Sequence, residues 1–379
     1  MKHFIIVFTL LPFFATAQNV GIGTDIPAGK LHVKGTADVN QLVIEAYSVQ
    51  SNNHPMLSFI KAGTVLLSLH SDNQANIFLG FETGNSNTSG LQNTFLGGSA
   101  GPLNTTGNGN TGVGYKSLNK NSTGFANTSI GNLTLVSNTT GYSNIAIGQS
   151  VLANNVGRSG SIAIGNGAMN YADNTTANIT TNNIAIGTYA LYSSGIVANN
   201  TGINNISIGS NTMFANQSGS YNTVTGTNSF YYSGSGSYNT TNGYHSLYYT
   251  GASNYNTAVG SESGDTYNNG YNNVFVGANS DVNGAGYYNV ISMGQGTVVG
   301  GSSTARFGNA ATASYGGWAG WSNVSDGRFK SNVQENVPGL AFISKLRPVT
   351  YNLDATRLDA FLHKNDSPEK LAIAAKNSS

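Results

Sequence analysis

Several sets of residues in this chain have types and spacings that chemistry could use. The hydroxyl of Ser325 stands five residues before the amine of Lys330, with Asp326 and Arg328 between them. A hydroxyl turns nucleophilic only beside a base, and an amine is a base only after losing its proton, so spacing alone assigns neither role. Glu262 and Asp265 are close in sequence, and paired carboxylates can act as acid and base on a glycosidic bond. Few other acids accompany them in the middle of the chain: Glu82, Asp173 and Asp281. Gly107-Asn108-Gly109-Asn110-Thr111-Gly112 spells the dinucleotide fingerprint, but that fingerprint needs a strand before it and a helix after it. His32, His54, His70 and His245 show no ligand spacing, so neither a metal nor a cofactor is expected.

The elements that must position these residues are written in glycine. Gly80, Gly97, Gly114, Gly131, Gly148 and Gly165 are 17 apart; two steps of 22 lead to Gly187 and Gly209, and the 17-residue step resumes through Gly226, Gly243, Gly260, Gly277 and Gly294. A fixed period of this kind marks one small unit stacked on itself. Asparagine stands four before the glycine in 11 of the 13 units, with Ser161 and Val290 as exceptions. Positions three and one before the glycine are β-branched or apolar, as in Ile145 and Ile147, and the residue between them is often small, as in Ala146. Alternation puts the two bulky positions on one face of a strand, and their bulk predicts that this face is buried. Four after the glycine comes a second apolar position, Leu118, Leu135, Leu152, Met169, Leu191, Met213, Phe230 and Leu247, which predicts a short second strand closing each coil.

A unit of 17 residues with two turn signals cannot hold a pair of helices, so stacked β-coils are expected over residues 76–300. Their asparagines should form amide ladders along the axis, and the five extra residues around 175–181 and 196–201 should bulge to one side.

Composition agrees with a rod of this kind. Charged residues are 8% of 379, the net charge is +1 and there is no cysteine, which excludes a nucleic-acid footprint, disulfides and thiolate metal sites. Residues 1–17 read as a secretory signal: Lys2 and His3 precede an apolar run, and Ala15-Thr16-Ala17 fits the small-x-small cleavage rule. Secretion or display at the cell surface follows, with no transmembrane segment. Residues 18–75 hold strand-like runs at 41–46, 56–60 and 64–69 and read as an N-terminal β stem; residues 301–324, with Trp318 and Trp321, read as a neck.

The repeated Asn-x-Ala-Ile-Gly, as in Asn144–Gly148 and Asn183–Gly187, resembles the head repeats of trimeric autotransporter adhesins, though the unit here is slightly longer. That resemblance implies an all-β fold, a left-handed parallel β-roll or solenoid of about 17-residue coils, assembled as a homotrimer. A second resemblance lies near the C-terminus. Ser325-Asp326-Gly327-Arg328-Phe329-Lys330-Ser331-Asn332-Val333, followed by Leu346-Arg347-Pro348-Val349-Thr350-Tyr351, is similar to the start of the peptidase S74 domain, the intramolecular chaperone of phage tail spikes and related fibres.

That second family trimerises, templates the fibre before it and releases itself. By motif, Ser325 is the implied nucleophile, Lys330 its base and Ser325–Asp326 the scissile bond, with Arg328 a neighbouring cation able to depress the lysine pKa. The domain usually continues into a longer α+β unit with a C-terminal helix; here the sequence stops at Ser379 after an expected helix over 367–376, so residues 325–379 read as a partial chaperone domain.

The expected protein is an exported structural fibre or adhesin that carries at most a single-turnover self-cleaving activity. Its partners would be its own copies and an environmental glycan or surface protein, met by tyrosines such as Tyr231, Tyr232, Tyr248 and Tyr249. The alternative is a glycan-acting enzyme on the same scaffold. An ice-binding surface is a third reading, against which Ile145, Ile162, Ile184 and Ile206 interrupt the threonine row.

Overall fold

A computed structural model gives the structure of residues 20–22, 31–33, 56–70, 75–171, 177–193, 201–266 and 269–316. Every regular element among them is a β-strand. One sheet of 16 strands runs the length of the shaft. It begins with an antiparallel hairpin, Leu57–Lys61 with Thr64–His70, whose second strand pairs antiparallel with Ile77–Leu79. From there each strand is three residues long and parallel to the next, and the pairing is in register: Ile145 opposite Ile162 opposite Ile184 opposite Ile206. The hairpin covers the first open edge of this parallel stack, where unpaired backbone groups would otherwise face water. Val20–Ile22 and Leu31–Val33 form a separate parallel pair.

The predicted coil is present, but its strand faces the other way. In Ile145-Ala146-Ile147 the alanine is fully buried and the two isoleucines face outward, and the same pattern holds at Ile162–Ile164, Ile184–Ile186 and Ile206–Ile208. Period-2 alternation separates two faces without saying which one is inside. Width decides it here, because the coil interior accepts one side chain from the strand and one from the opposite wall.

The opposite wall supplies the apolar residue four after each glycine. Leu118, Leu135, Leu152, Met213, Phe230 and Leu247 are all buried. They do not form the expected second strand. Each sits in a turn with left-handed backbone, φ between 49° and 53°. Such a conformation costs a branched or bulky side chain about 1–2 kcal/mol, which full burial of that side chain, worth about 1.5–3 kcal/mol, offsets. Among the described residues a true second strand occurs once, where Asp281–Val282 pairs with Val298–Val299.

The clock glycines are fixed by the stacking distance. A Cβ on Gly131, whose φ is +135°, would lie 2.0 Å from the carbonyl oxygen of Gly148 in the next coil. The amide ladder is also found: the backbone N–H of Asn110 donates to Oδ1 of Asn93 at 3.0 Å, and its Nδ2 to Gly124 O at 2.9 Å. Asn127 and Asn144 repeat the arrangement.

A second ladder runs seven residues after Gly80, Gly97, Gly114, Gly131 and Gly148. Asn104, Asn121, Asn138 and Asn155 each donate Nδ2 to Oδ1 of the asparagine one coil earlier at 2.8 Å. The sheet continues one strand beyond the last clock glycine, as Ala305–Phe307 pairs with Ile291–Met293 inside the region expected to be a neck. The extra residues of the two longer coils fall largely in 172–176 and 194–200, outside the described residues, as do 1–19, the run at 41–46 and everything from 317 onward.

Candidate interaction surface

The serine–lysine constellation is not among the described residues: Ser325, Asp326, Arg328, Lys330 and the matching segment 346–351 all lie beyond residue 316. The remaining sequence candidates resolve into parts of the stack. Gly112 is the inner residue of Thr111–Val113, where a Cβ would come within 2.9 Å of the Phe95 ring, and the segment after it is another coil turn, so no phosphate cradle is built. His245 lies between Tyr244 and Tyr248, with ring centroids 4.0 and 4.3 Å away, and its Nε2 is 3.1 Å from Asn228 Nδ2. No cluster of three metal-ligating side chains occurs among the described residues.

The acids pair differently from their sequence spacing. Asp265 meets Asp281, fourth after Gly277 and therefore in the core slot that leucine or methionine fills in other coils. Asp281 is buried and accepts hydrogen bonds from Thr266 N at 3.2 Å, from Thr266 Oγ1 and from Val282 N at 2.8 Å. Burial pushes its carboxyl up to about 7; the Asp265 carboxylate beside it pushes the same way, against the hydrogen bonds from Thr266 and Val282. The Asp281 carboxyl is buried in the coil interior, and Asp265 beside it is half-buried.

What the shaft offers instead is surface. The outward row of the sheet has two positions on each three-residue strand, and none of them is charged. Ile145, Ile186, Ile208, Val259 and Ile291 are each exposed along it. From Ile145 to Ile208 both outward positions of four successive strands are isoleucine, and contiguous apolar surface of this kind marks a place where something docks.

Two aromatic stripes accompany the sheet. Tyr221, Tyr238 and Tyr255, five residues before successive clock glycines, stack at 5.0 and 4.9 Å with planes within 4° of parallel. Beyond the buried turn residues, Tyr192, Phe214, Tyr231 and Tyr248 stack at 5.0, 4.8 and 5.2 Å. Tyr232 and Tyr249 form a parallel two-ring stack beside them at 5.3 Å. Tyr231, Tyr232, Tyr248 and Tyr249 are the rings expected from the sequence to meet a glycan or a surface protein, and their 17-residue spacing is what stacks them.

A partly open cavity bordered by Leu152, Asn155, Met169 and Asn216 measures about 20 Å³. That is room for a water, not for a substrate. No helix among the described residues is long and apolar enough to cross a membrane.

No protein-family model, curated protein or solved structure matches the chain. Its function is therefore read from the rod and from the residues that decorate it.

Proposed function

We propose that the protein is an exported, adhesin-like structural fibre in which copies of the chain unite through the outward sheet face and present their aromatic stripes to the surroundings. The observation that carries this reading is the uncharged outward row of the sheet, isoleucine at both positions of the four strands from Ile145 to Ile208 and largely threonine on either side, left half-exposed in a single chain. A coil with one inner residue per strand has little interior, and sharing the outer face among copies supplies the burial that one coil lacks. Likeness of the Asn-x-Ala-Ile-Gly unit to adhesin heads sets the number of copies at three. The apolar N-terminal run and the Ala15-Thr16-Ala17 site support export.

Residues 325–379 act in this reading as the beginning of a peptidase S74-type chaperone, with Ser325 as nucleophile, Lys330 as base and cleavage between Ser325 and Asp326. The reading is tested by the intact mass of the purified full-length protein beside Ser325→Ala. A fragment ending at Ser325, absent from the variant, supports self-release. Uncut wild-type chain, or a cut that persists in Ser325→Ala, removes that part and leaves the shaft reading standing.

A further inference from the structure

Between Asp173 and Glu262 the chain has no Asp, Glu, Lys or Arg, yet this stretch contains Tyr189, Tyr192, Tyr221, Tyr231, Tyr232, Tyr238, Tyr244, Tyr248, Tyr249 and Tyr255, half of the protein's 20 tyrosines. Ordinary soluble proteins are about one-quarter charged, so an uncharged run of this length on an exposed shaft is unusual. Tyr231, Tyr232, Tyr248 and Tyr249 contact one another directly, and His245 joins Tyr244 to Tyr248. Tyr231 and Tyr248 form part of a half-buried spine, with Tyr232 and Tyr249 standing almost perpendicular to them at 68° and 87°. Tyr232, Tyr244 and Tyr249 are 47%, 48% and 46% exposed although each is stacked on a neighbouring ring, so their remaining surface faces solvent.

The ends of the Tyr232–Tyr249 pair are open by sequence. One coil before Tyr232 stands Ala215, and one coil after Tyr249 stands Thr266, both too small to stack on a phenol ring. We propose that this uncharged tyrosine belt binds a neutral polysaccharide laid along the shaft. The proposal rests on the fibre reading above and assigns it a ligand class.

The chemistry of the belt selects that class. Aromatic faces attract the C–H faces of sugar rings as they attract other apolar, flat groups. The hydroxyls of Tyr231 and Tyr248 are held in their donor form, since burial first, and neighbouring tyrosines second, raise their pKa. No positive charge lies between Asp173 and Glu262 to draw in nucleic acid or an anionic polymer, and the fixed charges one coil beyond the belt, Glu262 and Asp265, are acidic. Within each stack the ring faces cover one another at about 5 Å, so a polymer laid along the axis meets a repeating row of ring edges, with open ring faces at the ends of the Tyr232–Tyr249 pair, and gains by many weak contacts what one sugar lacks.

The test is retardation of the full-length protein in native gels cast with hydroxyethylcellulose, β-1,3-glucan, dextran or glycol chitin, with polygalacturonate as the anionic comparison. Wild type is expected to be held back by at least one neutral polymer, equally at low and high salt. Tyr232→Leu combined with Tyr249→Leu should weaken the retardation roughly tenfold, while Tyr221→Leu with Tyr238→Leu on the other stripe leaves it unchanged. Thermal melting of both double variants separates lost binding from lost folding; should the belt variant melt early, Tyr244→Leu alone repeats the comparison. No retardation by any neutral polymer, stronger retardation by polygalacturonate, or retardation that survives removal of the belt rings overturns the proposal. The mass and cleavage measurements of the fibre reading are unaffected by that outcome.

Discussion

Phe95 occupies the space that a side chain at Gly101 would need: a Cβ on Gly101 would lie 2.5 Å from the Phe95 ring. Phe78 and Gly84 repeat the relationship at 2.8 Å. Where the inner strand residue is Gly112, Ser129 or Ala146, the partner six residues on is Leu118, Leu135 or Leu152. These coils are thus filled by one large and one small contribution from opposite walls, and close packing makes their sum matter more than either.

Gly101→Leu should destabilise the shaft by overpacking, and Phe95→Ala by about 3–5 kcal/mol through the cavity it leaves. The double variant reproduces the Ala146–Leu152 pairing and should recover most of the loss. Urea midpoints of the four proteins check this; strict additivity would show that the two residues do not share one interior.

Asparagine 127 holds four groups at once. It accepts from Asn144 N and Nδ2, both at 3.1 Å, and donates to Asn110 Oδ1 at 3.1 Å and Gly141 O at 2.9 Å. Asn127→Ala leaves buried partners unsatisfied and should cost about 2–3 kcal/mol. Hydrogen exchange should accelerate first at the amide of Asn144, which loses its acceptor.

Glycines of the clock and glycines beside it should respond oppositely to the same change. Gly131→Ala drives a methyl into the carbonyl of Gly148, whereas a Cβ on Gly98 meets nothing nearer than Tyr115 Cδ2 at 3.6 Å. The first variant should lower the melting temperature by several degrees and the second should leave it nearly unchanged. Equal effects would mean that coils do not approach as closely as described.

Asp281 gives the C-terminal coils a pH dependence of unusual sign. Its folded pKa, about 7, stands above the ordinary carboxyl value of 3.8, so the folded chain holds this proton more tightly than the unfolded chain. The stabilisation is full below about pH 4, falls as pH rises between about 4 and 7, and is gone above that window. Asp281→Asn should flatten the curve. A wild-type profile that rises through the same window would place the charged form in the native state.

The glycine clock, the asparagine ladder and the β-coil were legible because stacking imposes one residue type at one interval. The orientation of the strand was not, since Ile145 and Ile147 alternate with Ala146 whichever face is inside, and only the width of the coil settles the matter. Leu152 was recognised as an interior residue but given a strand, because its left-handed backbone, φ 49°, is uncommon for leucine and leaves no trace in composition. The second ladder, Asn87 to Asn155, and the stacked Tyr221, Tyr238 and Tyr255 carry the same 17-residue period and could have been found by extending the count to every column of the repeat. Asp281 was invisible for a different reason: its partner Asp265 is 16 residues away in sequence and adjacent only once the coil closes.

The solution mass of the full-length protein, measured by sedimentation equilibrium, bears most directly on the fibre. Three chain masses are expected, falling to one when Ile186→Asp and Ile208→Asp place charges on the outward sheet face. A wild-type protein that sediments as a single chain would contradict the account.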